Sequence, residues 1–191
     1  MTMSCAWAIT EVRPPFCTIG HSNRTLDEFA GILRAADVGL VVDVRSFPRS
    51  RSNPDYNIET LPERLAEYQI AYHHIPSLGG RRKVQPEVPD ELNAQWRNRS
   101  FHNYADHALS PEFQVAFDEL VEMGQSRRLA MMCSEAVWWR CHRGIITDYL
   151  LLAGHEVVHL MGNGREQIAK PTPGAEGTPN CKVIYPAQKP V

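Results

Sequence analysis

Hydrophobic positions fall into two alternating kinds of segment. Phe16-Cys17-Thr18-Ile19, Leu40-Val41-Val42-Asp43-Val44, Ala71-Tyr72-His73-His74-Ile75, Leu129-Ala130-Met131-Met132 and Glu156-Val157-Val158-His159-Leu160-Met161 are short, nearly continuous apolar runs. Such runs suit strands covered on both faces rather than strands wet on one side. Between them the apolar residues take helical spacing. One pattern opens at Thr25-Leu26-Asp27-Glu28, with Thr25 as cap and acids in the first turn, and closes at Gly39. A second runs from Leu61 to Tyr68 and tolerates Pro62 in its first turn. A third starts at Ser110-Pro111-Glu112 and repeats through Phe113, Phe117, Leu120 and Val121 to Gly124. The last spans Cys141 to Ala153 before Gly154.

Strands alternating with helices give an α/β class: a five-stranded, mostly parallel sheet sandwiched by helices, Rossmann-like or flavodoxin-like. Residues 1–161 read as one domain. The connection 76–110, after the third strand, far exceeds the usual span of about 2–6 residues and reads as a lid or small subdomain. From Gly162 the chain carries five prolines and four glycines and reads as an extended tail over 162–191. Asn180 to Tyr185 within it is an alternative edge strand or partner contact.

The chain has 191 residues, 43% hydrophobic and 22% charged, which suits a folded domain and excludes disorder or coiled coil. A net charge of -2 removes a global electrostatic case for nucleic-acid binding, so any basic site is local. No stretch has the roughly 20 apolar residues of a membrane span, and Met1 to Phe16 lacks a signal-type apolar region. A cytoplasmic, non-membrane protein is the expectation. Five cysteines (Cys5, Cys17, Cys133, Cys141, Cys181) form no dense even pattern, so reduced thiols are expected, important as nucleophile, ligand or packing.

Ligands of such sheets bind beyond the carboxyl ends of the strands. That rim gathers Gly20-His21-Ser22-Asn23, Arg45-Ser46-Phe47-Pro48, Pro76 to Gly80, and Cys133 to His142. Cys133 ends a strand, and if a helix opens at Cys141-His142-Arg143 its positive end faces the thiol. With Arg140, His142 and Arg143 near, Cys133 is expected to have a lowered pKa and to act as nucleophile or redox centre. Cys133 to Arg140 is one position longer than the matching interval of phosphatase loops, and its intervening residues lack glycines. Glu135 is a candidate base, ligand or arginine clamp, and His142 and His21 are candidate proton carriers. Asp43 is placed to hold the fork of Arg45, with Arg143 as a further anion clamp. Arg49, Arg51, Arg81, Arg82 and Lys83 add basic charge on neighbouring loops. Ser22, Gly79, Gly80 and Tyr104 complete the candidate binding set. Tyr56, Trp96, Phe101 and Tyr104 either stack on a base or form a small core under the lid. His73, His74, His155 and His159 read as structural.

Thr18-Ile19-Gly20-His21-Ser22, Asp43-Val44-Arg45 with Pro48 and Ser50, Leu78-Gly79-Gly80, Tyr104-Ala105, and Met132-Cys133-Ser134-Glu135 followed by Cys141-His142-Arg143 resemble, in order and spacing over residues 16–161, the domain of unknown function 488 family. The resemblance implies a small soluble α/β protein and no particular activity. The residues themselves favour an enzyme acting on a small phosphate- or carboxylate-bearing ligand, with a reactive cysteine. One alternative is a nucleotide or nucleic-acid binding module in which Arg45, Arg49, Arg81 and Arg82 supply affinity. A second is a zinc or iron site on Cys133, Cys141 and His142, with Glu135 or His21 as fourth ligand. Against it, Cys141 and His142 would diverge by about 100° on a helix. No cofactor or oligomeric state follows from these residues.

Overall fold

A computed structural model describes residues 16–188. Its main sheet has six strands in the order β3-β2-β4-β1-β5-β6, where β1 is Phe16–Gly20, β2 Leu40–Asp43, β3 Ala71–His74, β4 Leu129–Cys133, β5 Val157–Gly162 and β6 Arg165–Ile168. The first five are mutually parallel, and β6 returns antiparallel to β5. The helices are α1 Leu26–Ala35, α2 Leu61–Ala66, α3 Arg99–Ala108, α4 Pro111–Ser126 and α5 Arg143–Leu152. The α/β architecture of the sequence reading holds, with one strand more.

Each inner strand divides its residues between two cores, as a period of two requires. Phe16, Val42, Val44, Met131 and Cys133 face the layer built by α4, α5 and the 76–110 connection, which contributes Leu78 and Tyr104. Cys17, Ile19, Val41, Ala130 and Met132 face the layer of Leu26, Phe29, Leu33, Leu61 and Leu65 from α1 and α2. Burial on both sides explains why these runs read as continuous.

The caps are those the sequence announces. Thr25 and Glu28 form a reciprocal capping box on α1, and Ser110 caps α4 ahead of Pro111. Two elements differ. α3 lies inside the long connection and buries polar residues: the His107 ring bonds the Ser77 carbonyl at 2.9 Å, and Asn93 donates to Asp106 at 2.8 Å. The last helix begins at Arg143, because a 3-10 turn at Trp138–Arg140 and an extended Cys141 precede it.

The stretch expected as an extended tail is tied to the domain. Gly162, Asn163 and Gly164 all take positive φ, and this tight turn folds β6 back onto β5. A short hairpin of β7 (Glu176–Gly177) and β8 (Val183–Ile184) follows. Tyr185 is buried, its hydroxyl donating to Asp148 at 2.7 Å. Cys181 is disulfide-bonded, a departure from uniformly reduced thiols, whereas Cys133 and Cys141 carry free thiols. The expectation about Met1 to Phe16 lies outside the described residues except for Phe16. Among the described residues no helix is long and apolar enough to cross a membrane.

Candidate functional site

The strand order decides what meets what. β4 lies between β2 and β1, so its carboxyl end stands between theirs: Gly20 is level with Cys133, and Asp43 with Met132. The backbone continues this pairing past the strands, with His21 N–H donating to Cys133 O at 2.9 Å and Val44 N–H to Met132 O at 3.0 Å. A cleft of about 800 Å³ opens above these ends. Its walls include His21, Arg45, Arg49, Arg51, Gly80, Arg81, Tyr104, Cys133, Glu135, Arg140, Cys141 and His142. Five arginines thus stand against one acid.

Asp43 and Arg45 form the cleft's buried support. The Arg45 fork meets Asp43 through Nη2 to Oδ2 at 2.6 Å and Nε to Oδ1 at 2.9 Å, and Nη2 also donates to Tyr56 O at 2.7 Å. Tyr72 donates to the same carboxylate at 2.8 Å. Asp43 therefore positions Arg45, as its spacing suggested. Nη1 faces His21 Nε2 at 3.3 Å, while His21 Nδ1 bonds Ser22 O at 2.9 Å. A carbonyl only accepts, so Nδ1 carries the proton and Nε2 accepts from arginine. Burial pushes the His21 pKa down to about 4, which keeps the ring neutral at physiological pH. Ser22 does not reach the cleft wall; it has φ +50, and its N–H donates to Ser134 O.

Gly79 and Gly80 are needed for close approach to protein. A Cβ on Gly79 would lie 2.5 Å from Ser46 Oγ, and one on Gly80 would lie 2.4 Å from His142 Nδ1. Their absence lets this loop rest on the β2 loop, where Arg81 N–H donates to Ser46 Oγ at 2.9 Å. Arg82 turns away to bond the Gly79 and Pro76 carbonyls, and neither it nor Lys83 lines the cleft.

At the floor, Cys133, Cys141 and His142 bring their donor atoms within 4.8 Å of one another. The expected divergence of Cys141 and His142 fails because Cys141 is extended and His142 is the helix cap, so both side chains turn to one point. His142 Nε2 bonds Val44 O at 2.8 Å and must donate, leaving the Nδ1 lone pair toward Cys141 Sγ, 3.6 Å away. Arg143 is 1% exposed and absent from the cleft wall, which corrects its reading as an anion clamp. It instead donates Nε to Cys141 Sγ at 3.2 Å and Nη2 to Glu135 O at 2.6 Å. Among the described residues no carboxylate pairs with it. A guanidinium buried this deeply needs a negative neighbour, and the Cys141 sulfur is the group in position to be one.

The thiol expectation is therefore transposed. Burial resists ionisation of Cys141, but the Cys133 hydrogen bond and the Arg143 charge outweigh it and bring that thiol down to about 6. Cys133 moves up to about 12, first because its proton is held by Cys141 and then because it is buried. Glu135 is exposed and clamps neither Arg45 nor Arg143 through its carboxylate.

Of the aromatic candidates, Tyr56 and Tyr104 are fully buried; Tyr56 stacks on His21 at 4.1 Å, and Tyr104 donates to Leu78 O at 2.8 Å. Trp96 stacks on Phe101 at 5.0 Å and meets Tyr185. Tyr104, Trp96 and Phe101 form the core under the connection, with Phe101 and Tyr104 also on the cleft wall, whereas Tyr56 belongs to the opposite layer with α1 and α2. The most exposed aromatic on the cleft wall is Phe47, 68% exposed, with the Arg81 guanidinium 5.6 Å over its ring. Sequence reasoning passed over Phe47. Its signal was a large apolar residue in a Ser/Pro/Arg loop with no periodicity to bury it.

Fold and site together define an α/β protein with a basic cleft at the carboxyl rim of a largely parallel sheet, floored by paired cysteines and a histidine. The model of the domain of unknown function DUF488 matches residues 25–150, so the chain belongs to that family. No curated protein and no solved structure matches it.

Proposed function

We propose that the protein is an enzyme acting on a phosphate- or carboxylate-bearing small molecule held in this cleft. One observation carries the reading: a cleft walled by five arginines has two thiols and an imidazole lone pair meeting at its floor. A volume of about 800 Å³ suits a small ligand. Arg45 is spoken for by Asp43, and Arg49 pairs with Glu59, so Arg51, Arg81 and Arg140 are the arginines on the wall left for an incoming anion. They offer forked donors of the kind that grip phosphate and carboxylate. Phe47 adds an apolar face at the mouth for the uncharged part of the ligand. A module that only bound anions would need the arginines but not the sulfur and imidazole cluster beneath them.

Calorimetric titration with inorganic pyrophosphate tests the binding half. Wild type is expected to bind at low ionic strength and to weaken as salt rises, and Arg51→Gln/Arg81→Gln/Arg140→Gln to lose tenfold or more. No binding at low salt refutes the reading. Turnover of a panel of phosphate and carboxylate esters tests the catalytic half. Cys141→Ser is expected to abolish turnover and keep pyrophosphate binding. Turnover undiminished in Cys141→Ser would remove the thiol from the mechanism, and no turnover of any ester with pyrophosphate still bound would leave a nucleotide- or nucleic-acid-binding module instead.

A further inference from the structure

We infer that Cys133, Cys141 and His142 form a mononuclear site for a thiophilic divalent cation of the zinc class, with one coordination position open to the arginine-lined cleft. This deepens the proposed function and rests on it, since the open position faces the same cleft. The donor set is two sulfurs and one imidazole nitrogen, the soft and borderline ligands that select zinc over magnesium or calcium.

The distances suit such an ion. With Zn–S about 2.3 Å and Zn–N about 2.0–2.1 Å, a tetrahedral centre sets sulfur and nitrogen about 3.5 Å apart and its two sulfurs about 3.8 Å apart. Cys141 Sγ and His142 Nδ1 are 3.6 Å apart, and the whole triangle closes within 4.8 Å. Rotamer adjustments of about 1 Å complete it.

The surroundings of the ligands point the same way. His142 donates Nε2–H to Val44 O at 2.8 Å, which fixes the tautomer with Nδ1 free and aims the ring. Metal-bound histidines commonly anchor their second nitrogen in this fashion. Arg143 donates to Cys141 Sγ at 3.2 Å, and its buried charge offsets that of a second thiolate. Gly80 leaves room for the imidazole, since any Cβ there would meet Nδ1 at 2.4 Å. All three ligands lie on the cleft wall, so the fourth position falls to water or to an anionic oxygen of the ligand. Three protein ligands with an open position characterise catalytic rather than structural zinc.

The test uses full-length, untagged protein, stripped with chelator under a thiol reductant and titrated with Zn²⁺ against a chromophoric chelator, then with Co²⁺ in the spectrophotometer. One Zn²⁺ per chain is expected, with sulfur-to-cobalt charge transfer and tetrahedral visible bands for Co²⁺. Cys133→Ser, Cys141→Ser and His142→Asn should each weaken binding tenfold or more, with circular dichroism confirming that at least one variant is folded. Substoichiometric binding, binding unchanged in the folded variants, or a Cys133–Cys141 disulfide that persists under reductant would each overturn the site. Pyrophosphate calorimetry on the same samples separates the two readings. A protein that binds pyrophosphate but takes up no metal refutes the metal site and spares the cleft, whereas one that takes up metal but binds no pyrophosphate supports the metal site and refutes the anion cleft.

Discussion

Replacing Asp43 by Asn should damage the protein far more than the loss of one surface charge would. Asp43 is fully buried, and its two oxygens accept from Arg45 N, Nε and Nη2 and from the Tyr72 hydroxyl, at 2.6–3.1 Å. An asparagine of the same shape offers one carbonyl oxygen and turns two N–H donors toward groups that also donate. Arg45, 5% exposed, keeps its charge with nothing opposite it but the Tyr56 carbonyl and His21. Breaking one partner out of a buried ion pair costs about 3–5 kcal/mol. With a urea m-value of about 2 kcal/mol/M, the unfolding midpoint should fall by roughly 1.5–2.5 M. Adding Arg45→Met to Asp43→Asn removes the stranded charge and should recover about half of that loss or more. Equilibrium urea unfolding of the four proteins completes a double-mutant cycle. A midpoint shift below about 0.5 M for Asp43→Asn, or a double variant no more stable than the single, would refute the pair as the cleft's support.

Gly80→Ala forces a Cβ into the His142 imidazole, so Zn²⁺ affinity should drop tenfold or more in chelator competition while far-UV circular dichroism stays unchanged. His21 and His159 are both buried and pushed down to about 4 by burial. Their unfolded pKa is about 6.5, so between those values the unfolded chain holds the extra protons and stability falls with falling pH. Each contributes up to about 3 kcal/mol, fully present above pH 6.5 and gone below about 4; urea unfolding across that window should show the loss, and His159→Gln should flatten it. Phe47→Ala removes an exposed ring and should alter stability by less than about 0.5 kcal/mol, yet weaken an aromatic mononucleotide more than pyrophosphate in parallel calorimetry.

Legibility followed burial. The five parallel strands showed in the sequence because both faces are covered and their apolar runs are unbroken. Arg165-Glu166-Gln167-Ile168 gave no signal because this edge strand is exposed throughout, and it was found only where the turn at Gly162 to Gly164 sends it. α3 escaped notice because it is polar as a whole, with His102, Asp106 and His107 among its buried residues, and so lacks the apolar positions that marked the other helices. At the site, Asp43, Arg45, His21, Cys133 and His142 stood out because each sits at or just beyond a strand end or helix start. The roles of Cys141 and Arg143 did not. Both depend on where the helix begins, and a boundary shift of two residues decides whether a thiol points along the helix or into the cleft.

The most direct measurement of the central claim is a set of amide ¹H–¹⁵N spectra of the ¹⁵N-labelled protein titrated with inorganic pyrophosphate at low salt. Saturable shifts should concentrate in the segments 20–22, 45–51, 79–81 and 133–143 that ring the cleft, and vanish in Arg51→Gln/Arg81→Gln/Arg140→Gln. Shifts scattered over other surfaces, or a spectrum indifferent to millimolar pyrophosphate, would contradict the cleft as an anion site.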